Sequence, residues 1–153
     1  MNKFLEIIDT FSEMQDVENV YDKKARTYGD VEGTYTPSEA FLVKYIYEND
    51  RISVTNISKK MYKSKSAISQ MLKRIGDKGL IVINKNSIDA RYMDITLTEL
   101  GIELYFARQK VNDNYSEQLE KYLEPLSSEE LDTVMKFLDL YMKFRKDTSL
   151  GKN

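Results

Sequence analysis

Between Ile52 and Leu97 the hydrophobic period of the chain switches from that of helices to that of strands, and this switch narrows the folds open to it. Ile57 and Met61, four apart, mark one face of a short helix reaching about Tyr62. Lys63 and Ser64 interrupt the pattern, and a serine there can accept a hydrogen bond from the free N–H groups of a new helix. That helix covers about 65–77, with Ile68, Met71, Leu72 and Ile75 on one stripe and Gly79 at the expected stop. Residues 80–84, LIVIN, are apolar and β-branched, the composition of a strand. After a polar connection over 85–90, the run from Arg91 to Leu97 alternates. Met93, Ile95 and Leu97 fall on one face, with Tyr92, Asp94 and Thr96 on the other. The two runs make a β-hairpin. Ile52-Ser53-Val54 has the composition of one more short strand.

Long helical patterns flank this middle. Phe4, Ile7, Ile8, Phe11, Met14, Val17, Tyr21 and Ala25 recur at threes and fours, which predicts a helix over about 3–27. Residues 29–35, GDVEGTY, have no period and read as a loop. Thr36-Pro37-Ser38-Glu39 is a capping box with proline in the first turn. It opens a helix to about Glu48 that turns Phe41, Leu42, Tyr45 and Ile46 inward. Thr98 starts a helix over about 99–123, with Leu100, Leu104, Ala107, Val111, Tyr115, Leu119 and Tyr122 at helical spacing. Pro125 ends it, and Ser127 to Glu130 form a second capping box. The last helix, over about 128–146, turns Leu131, Val134, Met135, Leu138, Tyr141 and Met142 inward, and the six residues after Asp147 are expected to fray. The fold class is therefore mainly α with a small β-hairpin (α+β). A winged helix-turn-helix over 37–97 is flanked by long helices in 1–28 and 99–146, in one domain over 1–153.

Composition limits the chemistry. The 153 residues include no His and no Cys. The commonest general acid or base and the thiolate nucleophile are thus missing. So are the imidazole and thiolate ligands that zinc prefers. No glycine-rich phosphate loop or nucleophile elbow is present, so no catalytic residue, metal site or cofactor is assigned and the chain is not read as an enzyme. No apolar run approaches the length of a membrane span, and Glu6, Asp9 and Glu13 break the apolar pattern of the N-terminus. A soluble cytoplasmic protein is expected.

Net charge is −2, but it is unevenly spread. From Arg51 to Tyr92 ten basic residues face only Asp77 and Asp89, a local charge of +8 that leaves −10 for the remainder. The basic stretch coincides with the winged helix-turn-helix, where the second helix of the pair enters the major groove of double-stranded DNA. On that helix Lys65, Ser66, Ser69, Gln70 and Lys73 lie opposite the apolar stripe. Gln can bond adenine bidentately and Ser can bond several base edges. Lys63, Ser64 and Lys65, at the helix N-terminus, suit a phosphate, and Arg74 is either a phosphate contact or a packing partner. The rival reading is a winged-helix adaptor that binds protein rather than DNA.

Asp89-Ala90-Arg91, five residues, then Leu97-Thr98 and Glu99-Leu100-Gly101 together resemble the wing signature and helix start of the MarR family of bacterial transcription regulators. Lys78-Gly79-Leu80-Ile81 fits the family pattern as well, although Ile75 stands where leucine is usual. The resemblance implies that Arg91 meets the DNA backbone or enters the minor groove and that Asp89 holds the hairpin or the arginine in place. It makes Lys85 a phosphate contact. It also makes the flanking helices a dimerisation region, so that a homodimer binds a near-palindromic operator, most often as a repressor. Family members often release DNA when a small aromatic acid or phenolic compound binds. Tyr21, Tyr28, Tyr35 and Tyr45 are the candidate lining for such an effector. Peroxide-sensing and zinc-responsive members need Cys or His, which this chain lacks.

Overall fold

A computed structural model describes residues 2–84, 89 and 91–149. The elements run α1 (Lys3–Lys23), α2 (Pro37–Glu48), α3 (Val54–Met61), α4 (Lys65–Asp77), β1 (Ile81–Asn84), β2 (Asp94–Leu97), α5 (Glu99–Leu123) and α6 (Ser128–Ser149). The residues cluster into two compact units, one up to Val111 and one from Asn112, and the boundary falls within α5.

In the first unit α2, α3, α4, β1 and the start of α5 enclose one core. Leu42, Val43, Ile57, Ile68, Ile75, Leu80 and Leu104 are fully buried there, and Leu72 nearly so. Each such side chain contributes about 1.5–3 kcal/mol relative to exposure. The stripe expected on α4 is buried throughout. On α2 the inward face differs from expectation. Ala40, Val43 and Glu39 are buried with Leu42 and Ile46, whereas Phe41 and Tyr45 are only half-buried.

Several boundaries shift for identifiable reasons. The first helix ends at Lys23 rather than near 27, because Arg26 pairs with Tyr35 across an isolated bridge (N–H to carbonyl 3.0 and 2.9 Å). No strand forms at Ile52-Ser53-Val54. The Ser53 hydroxyl accepts from the Asn56 N–H at 3.1 Å and so starts α3 at Val54, which leaves Ile52 alone to bridge Met93. Both hairpin strands are shorter than predicted. Leu80 belongs to the helix stop, donating to the Ile75 carbonyl at 3.0 Å after Gly79 turns left-handed (φ 75). Pairing on the other strand begins only at Asp94, in the antiparallel register Ile81 with Leu97 through Asn84 with Asp94.

Thr98 locks the hairpin to α5. Its hydroxyl donates to the Gly79 carbonyl at 2.6 Å and accepts from the Gly101 N–H at 3.1 Å, while its own N–H donates to Leu80 at 3.0 Å. At α6 the expected capping box is present, with Glu130 and Ser127 bonded reciprocally at 2.8 and 3.3 Å. The helix continues to Ser149, past the point where fraying is expected.

The long helices do not bury the stripes that their sequences predict. In α1 and α6 no residue whose burial is described is buried. Phe4, Ile8, Val17, Met135, Leu138 and Met142 are exposed, and so are Val111, Tyr115, Leu119 and Tyr122 along α5.

Candidate nucleic-acid interface

Two serines set the helix-turn-helix. Ser53 caps α3, and Ser64 caps α4 by accepting from the Ala67 N–H at 3.1 Å. Between them Tyr62 adopts a left-handed conformation, the Lys63 N–H donates to the Ser58 carbonyl at 3.1 Å, and the Ser58 hydroxyl donates to the Lys63 carbonyl at 2.6 Å. The turn is therefore fixed by its own bonds. It aims the N-terminus of α4, with its unsatisfied N–H groups, away from the core.

Ile68, Met71, Leu72 and Ile75 anchor α4, which puts Lys65, Ser66, Ser69, Gln70, Lys73 and Arg74 in solvent. These groups are not equally free. Ser64 is committed to its cap. Ser69 donates back to the Lys65 carbonyl at 3.0 Å, which leaves its oxygen as an acceptor. Lys73 pairs with Asp77 at 3.0 Å. Arg74 Nε lies 3.9 Å from Glu39 Oε1. Among the described residues Lys63 and Lys65 form no ion pair, and the side chains of Ser66 and Gln70 make no hydrogen bond. The unsatisfied part of the predicted site is the N-terminal half of α4.

Glu39 carries more than its sequence position reveals. Its carboxylate is 4% exposed, accepts from the Thr36 N–H at 2.9 Å and from Lys78 Nζ at 2.7 Å, and faces Arg74. Lys78 also donates to the Thr34 carbonyl at 3.1 Å. Lys78 thus counts toward the basic stretch but is spent inside the protein, tying the end of α4 to the start of α2. The capping box is legible at Thr36 and Glu39. A partner 39 residues further on leaves no local signal.

On the wing, Arg91 grips Asp89 with its fork, Nε to Oδ1 at 3.0 Å and Nη2 to Oδ2 at 2.8 Å, and the Arg91 N–H adds a third bond to Oδ1 at 3.0 Å. These bonds hold the Asp89 carboxyl below the usual aspartate range, the Arg91 side chain first and its backbone second, and they raise the guanidinium in turn. Arg91 is 81% exposed even so. Arg51 stacks 5.4 Å from the Tyr92 ring centre, which brings a second guanidinium to this face that the sequence reading did not assign to the site. Lys85 lies outside the described residues.

Of the four tyrosines proposed for an effector, Tyr28 and Tyr35 belong to the core at 5% and 2% exposure, and burial raises both phenols above their ordinary range. Tyr35 donates to the Glu32 carbonyl at 2.5 Å. Tyr21 is exposed, and Tyr45 borders an open groove with Phe41 and Lys60. Among the described residues no three of His, Cys, Asp and Glu are placed to hold a metal ion, and no helix is long and apolar enough to cross a membrane.

Residues 35–92, the helix-turn-helix with its wing, match the model of the MarR family. Two similar proteins are from Bacillus subtilis. One is the uncharacterised HTH-type transcriptional regulator YvnA, 21% identical over 72% of this chain and 70% of its own length. The other is the HTH-type transcriptional repressor MdtR, 28% identical over 63% of this chain and 60% of its own length. Among solved structures, Lactococcus lactis ZitR in complex with DNA superposes with a TM-score of 0.73 over 94% of this chain and 97% of its own, at 15% identity. The adhesin competence repressor AdcR of Streptococcus pyogenes gives 0.68 over 92% and 96%, at 18% identity. These structures share the fold, and the family match lies on the segment whose geometry is described above. The helix-turn-helix and wing of this chain are therefore similar to those of the MarR family of transcriptional regulators, and its fold is theirs.

Proposed function

We propose that the chain is a sequence-specific repressor that binds double-stranded DNA as a homodimer on a near-palindromic operator. In this reading the whole chain works as one functional domain, with DNA contacts from 37–97 and dimerisation through 1–28 and 99–146. The observation that carries it is the N-terminal half of α4. It combines an exposed helix end, two cations without carboxylate partners and the unbonded polar side chains of Ser66 and Gln70. That is the donor set for phosphate and base edges, on a helix whose opposite face fixes it rigidly. Ser64 orients this end, and Arg91 reaches DNA from the wing once its hold on Asp89 is shared with the phosphates. Lys73 and Arg74 join at the periphery, with Lys85 toward the wing tip.

The uncovered apolar faces support the homodimer. Phe4 and Val17 on α1 are 75% and 64% exposed, and Met135 on α6 is 58% exposed. Stripes of this length are costly in water and fit a second copy of the chain. A two-fold dimer presents two α4 helices about one DNA turn apart.

Fluorescence anisotropy tests the reading, with duplex DNA from upstream of the protein's own gene against a scrambled duplex at several salt concentrations. Tight binding that prefers the native duplex, with log K falling by about 0.9 per phosphate contact against log salt, is expected. Failure to bind either duplex at low salt would refute it in favour of the protein-adaptor reading. Release by a small organic effector belongs to the same proposal and is read in the same assay, by adding benzoates and phenols to the bound complex. Some structural neighbours are described as zinc-responsive. A chain without His or Cys offers such a site no imidazole or thiolate.

A further inference from the structure

Tyr62, in the turn between α3 and α4, has φ 53 and ψ 39, the one positive φ at a non-glycine position among the described residues. The turn explains the backbone. The Tyr62 and Lys63 N–H groups both donate to the Ser58 carbonyl, and the Ser58 hydroxyl returns a bond to Lys63. It does not explain the side chain. A left-handed position of this kind favours glycine or asparagine, and a bulky residue is strained there. Folding gains little in exchange, because the Tyr62 ring is 75% exposed and its hydroxyl has no hydrogen-bond partner among the described residues. Tyr62 borders an open groove with Lys44, Tyr45, Glu48, Lys59 and Lys60. Lys63 and Lys65 follow it in sequence, where α4 begins, and Lys59, Lys60, Lys63 and Lys65 form no ion pair among the described residues.

A strained residue whose side chain serves neither core nor turn points to a role outside the fold. We propose that Tyr62 is a further DNA-contacting residue, its hydroxyl donating to a phosphate oxygen of the strand that passes the N-terminus of α4. The four lysines draw that strand in, and the phenol adds a directed bond that ammonium groups on flexible stems do not provide. This inference rests on the DNA-binding reading above.

The full chain is tested as Tyr62→Gly, Tyr62→Phe and Lys63→Ala, by thermal melting and by anisotropy on the native and scrambled duplexes across salt. Stability and binding are expected to move in opposite directions. Tyr62→Gly relieves the backbone and raises the melting temperature by about 2–4 °C. It weakens binding about tenfold on both duplexes, the loss of one hydrogen bond to a charged acceptor. Tyr62→Phe leaves melting unchanged and weakens binding equally. Neither changes the salt slope, since a phenol releases no counterion, whereas Lys63→Ala lowers it by about 0.9. Wild-type affinity in the Gly or Phe variant overturns the assignment. So does a Gly variant that melts below wild type, because the ring then serves folding. A wild-type protein that binds neither duplex overturns the DNA-binding reading and this inference with it.

Discussion

Gly101→Ala sets two opposing effects against each other at one atom. Alanine ordinarily favours a helix over glycine by about 1 kcal/mol. Here a Cβ at position 101 falls 2.2 Å from the Leu80 carbonyl oxygen and 3.1 Å from Leu97 Cδ2. Carbon and oxygen in contact rest at about 3.3 Å or more, so α5 must retreat from the hairpin by about 1 Å. The same Leu80 carbonyl accepts the Thr98 N–H at 3.0 Å, and a retreat of that size stretches this bond past hydrogen-bonding range. It also loosens Leu104, which has no exposure. Overpacking costs about 1–3 kcal/mol and the orphaned carbonyl about 1–3 more, against the propensity gain. The expected result is a net loss of about 3 kcal/mol. That lowers the melting temperature by about 6–12 °C, measured by circular dichroism at one fixed protein concentration because assembly shifts the midpoint. Gly76→Ala is the control. Its Cβ meets Ile81 Cγ1 at 3.9 Å, an ordinary contact, and the variant is expected to melt at or slightly above wild type. If Gly101→Ala melts as high as wild type, the close approach of α5 to Leu80 is wrong as described.

Arg91→Ala is expected to weaken operator binding while leaving the melting temperature at pH 7 nearly unchanged, since the guanidinium is 81% exposed. In the same variant the Asp89 carboxyl, followed by NMR titration, moves up toward its ordinary value. Because the folded-state value is depressed in wild type, the pair's contribution is full above about pH 4 and is lost as pH falls through the folded value, so the two stability curves converge in acid. Gln70→Ala is expected to relax preference at one base position by about 1–3 kcal/mol in a panel of single-substitution duplexes, and equal losses on all of them assign Gln70 to the backbone instead. Glu39→Ala removes a buried acceptor from Lys78 and from the Thr36 N–H and is expected to cost about 2–3 kcal/mol in urea unfolding. A cost below about 0.5 kcal/mol rules out the buried network as a tie between α2 and α4.

What the sequence reveals follows the range of the interactions. The span of α4, the start of α2 at Thr36 and the start of α6 at Ser127 depend on caps and stripes within four residues, and all three are where the pattern puts them. The end of α1 depends on Arg26 meeting Tyr35, and the loss of a strand at Ile52 depends on Ser53 choosing a cap, so local periodicity misplaces both. The charges show the same limit. A count of +8 is correct as a sum but treats Lys73, Lys78 and Arg91 as free, when Asp77, Glu39 and Asp89 hold them. The apolar stripes of α1 and α6 are read correctly as stripes but not as buried ones, because periodicity marks an apolar face without showing what packs on it.

The pairing of charges along α4 gives that helix a direction. Toward its C-terminus Lys73 is matched by Asp77, and Lys78 and Arg74 by the buried Glu39. Toward its N-terminus Lys63 and Lys65 are unmatched among the described residues, and the positive end of the helix dipole adds to them there. Were the cations free along the whole helix, its attraction for phosphate would be spread evenly and the helix could approach DNA side-on. With the far end neutralised internally, the field favours an approach led by the N-terminus. On the DNA-binding reading proposed above, that approach brings Ser66 and Gln70 to the base edges first and seats Ser64 and the α3–α4 turn against the backbone. On that reading Glu39 acts on recognition from the core, by neutralising Lys78 and facing Arg74 so that the free cations are those at the other end of α4.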